Sequence, residues 1–291
     1  MVASLHGGID AGGTSFKCGV ADESGHLVDT RRVPVTTPDE TLKRCAAFFC
    51  AQGPLESFGI ASFGPVDVDP DSPGYGTILE SPKAGWAGIN LRAHFEEALG
   101  VAVRLDTDVN GALLAEIQRG AAKDAASAAY VTIGTGIGAG VFANDALVGK
   151  PRHPEFGHIP VRRAPGDEAT RSVCPFHSDC LEGLASASAM TARYGDPAQL
   201  PEDHPGWDAQ ADYLAQACRV LSLAFRLERI VLGGGLMQAG HLLARVRAAY
   251  TAQMAGYADA SKEAADALIV CAGLGDDAGL HGAILLGRGA S

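Results

Sequence analysis

"SAAYVTIGTGIGAGVFANDALVGK", residues 127–150, reads as an apolar strand, a glycine-threonine turn, a second apolar strand and a further turn at "AND". The plan occurs once before. Residues 4–35, "SLHGGIDAGGTSFKCGVADESGHLVDTRRVPV", read as strand, glycine turn, strand, hairpin turn at "ESG" and strand, with Phe16, Cys18 and Val20 alternating on one face. Two copies of one plan predict a two-lobed chain.

The segments around them read as further elements. Residues 39–52 predict a helix with Leu42, Cys45, Ala46 and Phe49 on one face. "SFGIASFGPVD" predicts a strand that stops at a Gly-Pro turn. "LRAHFEEALG" predicts a helix stopped by Gly100, and "VAVRLD" a strand. "DVNGALLAEIQRG" opens a helix at Asp108 and closes it at Gly120. From Trp207 to Arg229, Tyr213, Leu214, Ala217, Leu221, Ala224 and Phe225 recur at helical spacing. "RIVLGGGLM" runs from strand through a glycine turn into a helix, "ALIVCAGLG" is a strand and "GLHGAILLG" a closing helix. The Pro-rich stretches 65–85 and 195–206 read as loops. Alternating strands and helices predict the α/β class.

The chain has 291 residues, 47% of them hydrophobic, enough for a substantial core in one large or two medium domains. Its net charge of −11 makes nucleic acid and anionic membrane poor partners. No apolar run approaches the roughly 20 residues that span a bilayer. The start "MVASLHGGIDAGG" lacks a basic segment followed by an apolar one, so a cytoplasmic protein with reduced thiols is expected. Cys45, Cys50, Cys218 and Cys271 have apolar neighbours and read as small core residues, whereas polar turn-formers surround Cys174 and Cys180.

Three glycine turns follow predicted strands: residues 10–14, 134–140 and 233–235. Glycine lets backbone N–H groups approach phosphate oxygens, and three such turns favour a bound nucleotide. No P-loop pattern is present. Gly134 to Ala139 fits a relaxed dinucleotide pattern, G-x-G-x-x-A, but a strand follows where a helix is required, so an NAD-dependent dehydrogenase is the weaker reading. Asp10, ahead of the first glycines, makes sense beside phosphate only with a cation between them, which points to Mg²⁺. Thr14 offers a hydroxyl and Lys17 a charge for the phosphates.

Cys174, His177 and Cys180 are spaced three apart in "CPFHSDC", a knuckle suited to structural zinc; spacing leaves the fourth ligand open between His153 and His158. "HPEFGH" is not H-E-x-x-H, which excludes that metalloprotease motif. Glu155 and Glu182 flank these residues. Carboxylates accept hydrogen bonds from sugar hydroxyls; the weaker reading of Glu182 is a helix cap at "LEGLAS". In "RLDTDVNGALLAE", residues 104–116, Asp106 ends a strand and Asp108 opens a helix; either carboxylate could serve as a general base.

These residues resemble the ROK family of sugar kinases. "IDAGGTSFKCGV" is similar to its first phosphate motif, "VTIGTGIGAGVF" to its second, "IVLGGGLM" to its adenosine-side motif, and "HPEFGHI" with "CPFHSDCLEGLAS" to its zinc and sugar signature. The resemblance covers nearly the whole chain. It implies a two-lobed actin-like ATPase fold (ribonuclease H-like) with a small zinc loop, one lobe formed by residues 1–108 with 276–291 returning, the other by 109–275. It implies Asp108 as the catalytic base. Asp10, Gly12, Gly13, Thr14, Lys17, Gly134, Thr135, Gly136, Gly138, Gly233, Gly234 and Gly235 become nucleotide contacts. Gly64, Asn110, Glu155, His158 and Glu182 become sugar contacts, and His158, Cys174, His177 and Cys180 the zinc ligands. Mg-ATP and a structural zinc are the implied cofactors, and a homodimer the implied assembly. "CPFHSDCLEG", "DTDVNG" and "SPKAGW" look like the bacterial fructokinase branch, which implies phosphorylation of D-fructose at its 6-hydroxyl. Glucokinase, mannokinase and N-acetylmannosamine kinase remain alternatives, as does a non-catalytic sugar sensor.

Overall fold

The computed structural model describes residues 4–80, 83–259 and 261–290. It divides into two compact units: residues 1–115, 147–153 and 276–291 form the first, residues 116–146 and 154–275 the second.

In the first unit β1 (His6–Ala11), β2 (Ser15–Ala21), β3 (Leu27–Pro34), β4 (Ser57–Ser62) and β5 (Val103–Thr107) form one sheet in the order β3-β2-β1-β4-β5. β1 runs antiparallel to β2 and parallel to β4, and β4 parallel to β5. The antiparallel hairpin needs only the glycine turn, while each parallel pairing needs a helical crossover. These are α1 (Pro38–Cys50) and α2 (Leu91–Leu99). α1 is capped by Thr37 and α2 by Asn90, and α2 ends at left-handed Gly100. α3 (Asp108–Arg119) then leads towards the second unit.

Strand period 2 sorts the side chains of this sheet. Ile9, Phe16, Phe58 and Ile60 join Leu42, Phe48, Phe49 and Phe95 in an aromatic-rich core. On the other face β1, β2 and β4 present Gly8, Gly19 and Gly59 to α9 (Ala278–Gly287). A Cβ at Gly59 would stand 1.9 Å from the Ala283 carbonyl oxygen, so only glycine lets α9 lie this close.

The second unit repeats the plan. β6 (Ala128–Ile133), β7 (Ile137–Ala143), β8 (Ala146–Leu147), β9 (Arg229–Gly233) and β10 (Ile269–Cys271) are ordered β10-β9-β6-β7-β8, with β6 antiparallel to β7 and parallel to β9. Its helices are α4 (Leu181–Ala185), α5 (Ala187–Tyr194), α6 (Gly206–Phe225), α7 (Leu242–Met254) and α8 (Lys262–Leu268). No described helix is long and apolar enough to cross a membrane.

The structure corrects several expectations. Ala224 and Phe225 do not belong to the buried stripe of α6; the helix ends there, Arg226 turns left-handed, and Leu227 is the next buried residue. Cys50 is exposed at the end of α1 and Cys271 is only half-buried, while Cys18 is fully buried. α5 and α8 are short helices without a strong stripe, so periodicity does not reveal them. The loop 65–85 contributes buried Val66, Val68 and Ile78, and Trp86 beyond it packs against Phe16 and Phe63. Ser81 and Pro82 of "SPKAGW" lie outside the described residues.

Candidate active site and metal site

In the first unit the glycine turn joins β1 to β2. Gly12 N–H donates to the carbonyls of Asp10 (3.2 Å) and Ser15 (3.1 Å), which tightens the hairpin and leaves Gly13 and Thr14 exposed at its tip. Asp10 sits directly across from Lys17 in the β1–β2 pairing. It lies on the α9 face, where a Cβ at Gly279 would come within 2.5 Å of its Oδ2. Burial pushes the Asp10 carboxyl up to about 6; Lys17 and Arg32 pull it down, and Asp276 and Asp277 push it further up. A half-buried carboxylate among other acids suits a divalent cation. Lys17 itself is ion-paired at 3.0 Å with Asp277 and donates to the Asp276 carbonyl.

The two candidate bases differ sharply. Asp106 is 2% exposed, and its oxygens are taken up by the chain: Oδ1 accepts from Thr107 N–H and Asn110 Nδ2, both at 2.7 Å, and Oδ2 pairs with Lys150. Asp108, the first residue of α3, accepts a hydrogen bond from the Val109 N–H at 2.8 Å. Burial pushes its carboxyl up to about 7, and the charge of Asp10 adds to this; backbone N–H groups and Lys83 pull the other way. Asp106 is thus a structural anchor, and Asp108 has the environment of a general base poised near neutrality. Asn110 is 1% exposed, and its Oδ1 has no protein partner among the described residues.

Sequence reasoning missed Lys83. Its Nζ stands 3.7 Å above the Phe63 ring and 3.4 Å from the Gly12 carbonyl oxygen. The only sequence signal for it is its place ahead of Gly85 and Trp86.

In the second unit the turn Gly134–Gly136 joins β6 to β7. A strand and not a helix follows it, which removes the dinucleotide reading of Gly134 to Ala139. The segment 182–188 holds this turn. The Ile137 N–H donates to Glu182 Oε2 at 2.9 Å, the Ala187 N–H to the Gly134 carbonyl at 2.8 Å, and Ser188 Oγ to the Thr135 carbonyl at 2.7 Å. A Cβ at Gly136 would lie 2.4 Å from Glu182 Oε2. Gly138 continues β7. The third turn closes against β6: Gly234 has φ +88°, and a Cβ there would stand 2.5 Å from the Ile133 carbonyl oxygen. Gly233 packs on Tyr130, and Gly235 opens a 3-10 turn to Gln238.

Glu155 precedes a 3-10 turn, Phe156–His158, and receives the His158 N–H on its carbonyl at 3.0 Å. That turn brings His158 to Cys174, His177 and Cys180; one ligand atom from each lies within 4.8 Å of the others. His158 Nδ1 is 3.9 Å and His177 Nδ1 3.7 Å from Cys174 Sγ. Tetrahedral zinc with bonds of about 2.0–2.3 Å needs ligand atoms roughly 3.3–3.8 Å apart, so the donor set fits and the four groups need to draw together by about an ångström at most. Burial pushes the Cys180 thiol up to about 11, and the nearby Cys174 adds to this; a cation is what would stabilise thiolates there. His153 lies in the first unit, with its Cε1 4.0 Å from where a Cβ at Gly64 would be, and takes no part in the cluster. Cys180 also caps α4, its sulfur accepting from the Gly183 N–H at 3.3 Å, which sets Glu182 in the first turn.

The ROK family matches residues 6–289. A fructokinase of Pediococcus pentosaceus is 39% identical over 287 residues, 98% of each chain. One of Zymomonas mobilis is 41% identical over 296 residues, 97% of this chain and 96% of its own. Among solved structures, a ROK family glucokinase from Streptomyces griseus in complex with glucose and AMPPNP is 25% identical with a TM-score of 0.78, covering 98% of this chain and 99% of its own. With two sheets of one plan, a glycine turn at the first hairpin of each and a Cys/His cluster beside the second, the chain belongs to the ROK family.

Proposed function

We propose that the chain is a fructokinase, which uses Mg-ATP to phosphorylate the 6-hydroxyl of D-fructose. The carrying observation for the chemistry is Asp108, a carboxyl pushed up to about 7 at the start of α3, while Asp106, the other candidate base, is fully engaged. The sugar rests on fructokinases that match at about 40% identity along nearly the whole chain.

The 6-hydroxyl oxygen attacks the γ-phosphorus as Asp108 accepts its proton. The bond to the β,γ-bridging oxygen breaks, and ADP leaves with that electron pair. Gly12, Gly13 and Thr14 on one turn, and Gly134, Thr135, Gly136 and Gly138 on the other, hold the phosphates with backbone N–H and hydroxyl donors. Gly233, Gly234 and Gly235 line the adenosine side. Asp10 would help hold Mg²⁺, which would neutralise charge on the phosphates. Gly64, Asn110, Glu155, His158 and Glu182 take the sugar hydroxyls, with the unpaired Asn110 Oδ1 a ready acceptor. His158, Cys174, His177 and Cys180 would hold a structural zinc. His158 would then serve twice, one ring nitrogen for the metal and the other for a sugar hydroxyl.

The test is kcat/KM, read as ADP release, for fructose, glucose, mannose and N-acetylmannosamine. Fructose is expected to lead. A lead by another hexose overturns the choice of sugar, and no release with any hexose overturns the kinase reading.

A further inference from the structure

Phosphoryl transfer spreads negative charge over the three equatorial oxygens of the moving group, and cations placed there lower the barrier. Lys17 is the lysine nearest in sequence to the first glycine turn, yet its ammonium is engaged by Asp277 and the Asp276 carbonyl at the start of α9. Lys83 stands at the turn instead. Its Nζ is 3.4 Å from the Gly12 carbonyl oxygen, and a Cβ on Gly13 would meet the same Nζ at 3.4 Å. The position is built. The Trp86 N–H donates to the Lys83 carbonyl at 3.2 Å, and the fully buried Trp86 ring is wedged against Phe16 and Phe63. Phe63 also carries the Lys83 ammonium on its face at 3.7 Å. Lys83 is close enough to Asp108 for each charge to stabilise the other.

We propose that Lys83 is a further catalytic residue, its ammonium hydrogen-bonding a non-bridging oxygen of the phosphoryl group as it passes from ATP to the hydroxyl held by Asp108. Lys83 neither gains nor loses a proton in this step; the hydroxyl proton still goes to Asp108 and the electron pair to ADP. The inference rests on the kinase reading above, and wild-type ADP release with hexose tests that reading first and separately.

Lys83→Met keeps the stem on Phe63 and removes the charge. In the full-length protein, kcat is expected to fall about 100-fold, with KM for Mg-ATP and for hexose within about threefold of wild type and Tm little changed. The acid limb of the pH profile moves to higher pH, because Asp108 loses a cation that favours its ionised form. The comparison is therefore made on the plateau above that limb. A plateau deficit below about tenfold overturns the proposal. So does a deficit that vanishes on the plateau, since Lys83 would then act only through Asp108. Lys83→Arg, which keeps the charge, is expected to retain more kcat than Lys83→Met; equal impairment would mark a packing role and overturn the proposal as well.

Discussion

The Glu182 carboxylate accepts the backbone N–H of Ile137 at 2.9 Å, so a residue that reads as a sugar contact also anchors the turn that reads as a phosphate contact. One carboxylate thereby serves two expected ligands. Glu182→Ala is expected to raise KM for nucleotide and for sugar together, each by roughly tenfold, the value of one charge-assisted hydrogen bond. Glu182→Gln, whose amide oxygen can still accept from Ile137, should restore most of the nucleotide affinity and little of the sugar affinity. Equal loss of both in Glu182→Gln would refute the two-ligand role. Isothermal titration with an ATP analogue and with fructose reads each separately.

Asp108→Asn should bind the ATP analogue as wild type does and lose at least about 100-fold in kcat. Stability should move the other way. The folded-state carboxyl, at about 7, binds a proton more tightly than the unfolded one, so this group lowers stability as pH rises from about 4 through 7. The asparagine variant escapes that loss and should melt a few degrees above wild type at pH 8 and no higher than it at pH 4.

Asp106→Ala is the counterpart. It leaves the Asn110 amide and the Thr107 N–H without their acceptor and removes the partner of Lys150. A loss of about 2–4 kcal/mol in stability is expected. Denaturant titration measures it, and an unchanged midpoint would mean that Asp106 is no anchor.

For the wild-type enzyme, kcat/KM with hexose should rise with pH along a single acid limb centred near 7, since Asp108 must be ionised to accept the proton. Added Mg-ATP should lower the titration of Asp10, whose carboxyl at about 6 gains a cation, and the same cation offsets the Asp10 charge that helps hold Asp108 up. A limb centred near 4 would remove Asp108 from the role of base.

One metal ion per chain should be found by elemental analysis of protein purified without chelator. Cys180→Ser should lose it. Because Cys180 also caps α4, and α4 with the start of α5 holds the turn Gly134–Gly136, that variant should weaken nucleotide binding as well as sugar binding. Loss confined to the sugar would show that the helix keeps its place without the metal.

What the sequence made legible follows from strong local signals. Alternating apolar strands with glycines between them read directly as the two hairpins, and "CPFHSDC" as a metal knuckle, because these patterns depend on near neighbours alone. The choice between His153 and His158 needed the chain path: residues 147–153 join the first unit, and the 3-10 turn after Glu155 carries His158 to the cysteines. Lys83 was hidden for the same reason. It lies in a stretch without periodicity, and its meaning comes from Phe63 and Gly12, distant in sequence. The far end of α6 misled because Ala224 and Phe225 keep the helical spacing but sit on the exposed last turn, just before left-handed Arg226 ends the helix.

The glycine face of the first sheet has a consequence for synthesis. Gly8, Gly19 and Gly59 are shaped to receive α9, which is made only after residues 116–275. Until α9 arrives, Gly8, Gly19 and Gly59 lack the helix that packs on them. Domains usually complete themselves in the order in which they are translated. Here the order is inverted: the second unit has all its strands and helices while the first still waits for α9, so the growing chain carries an unfinished first unit until that helix is made.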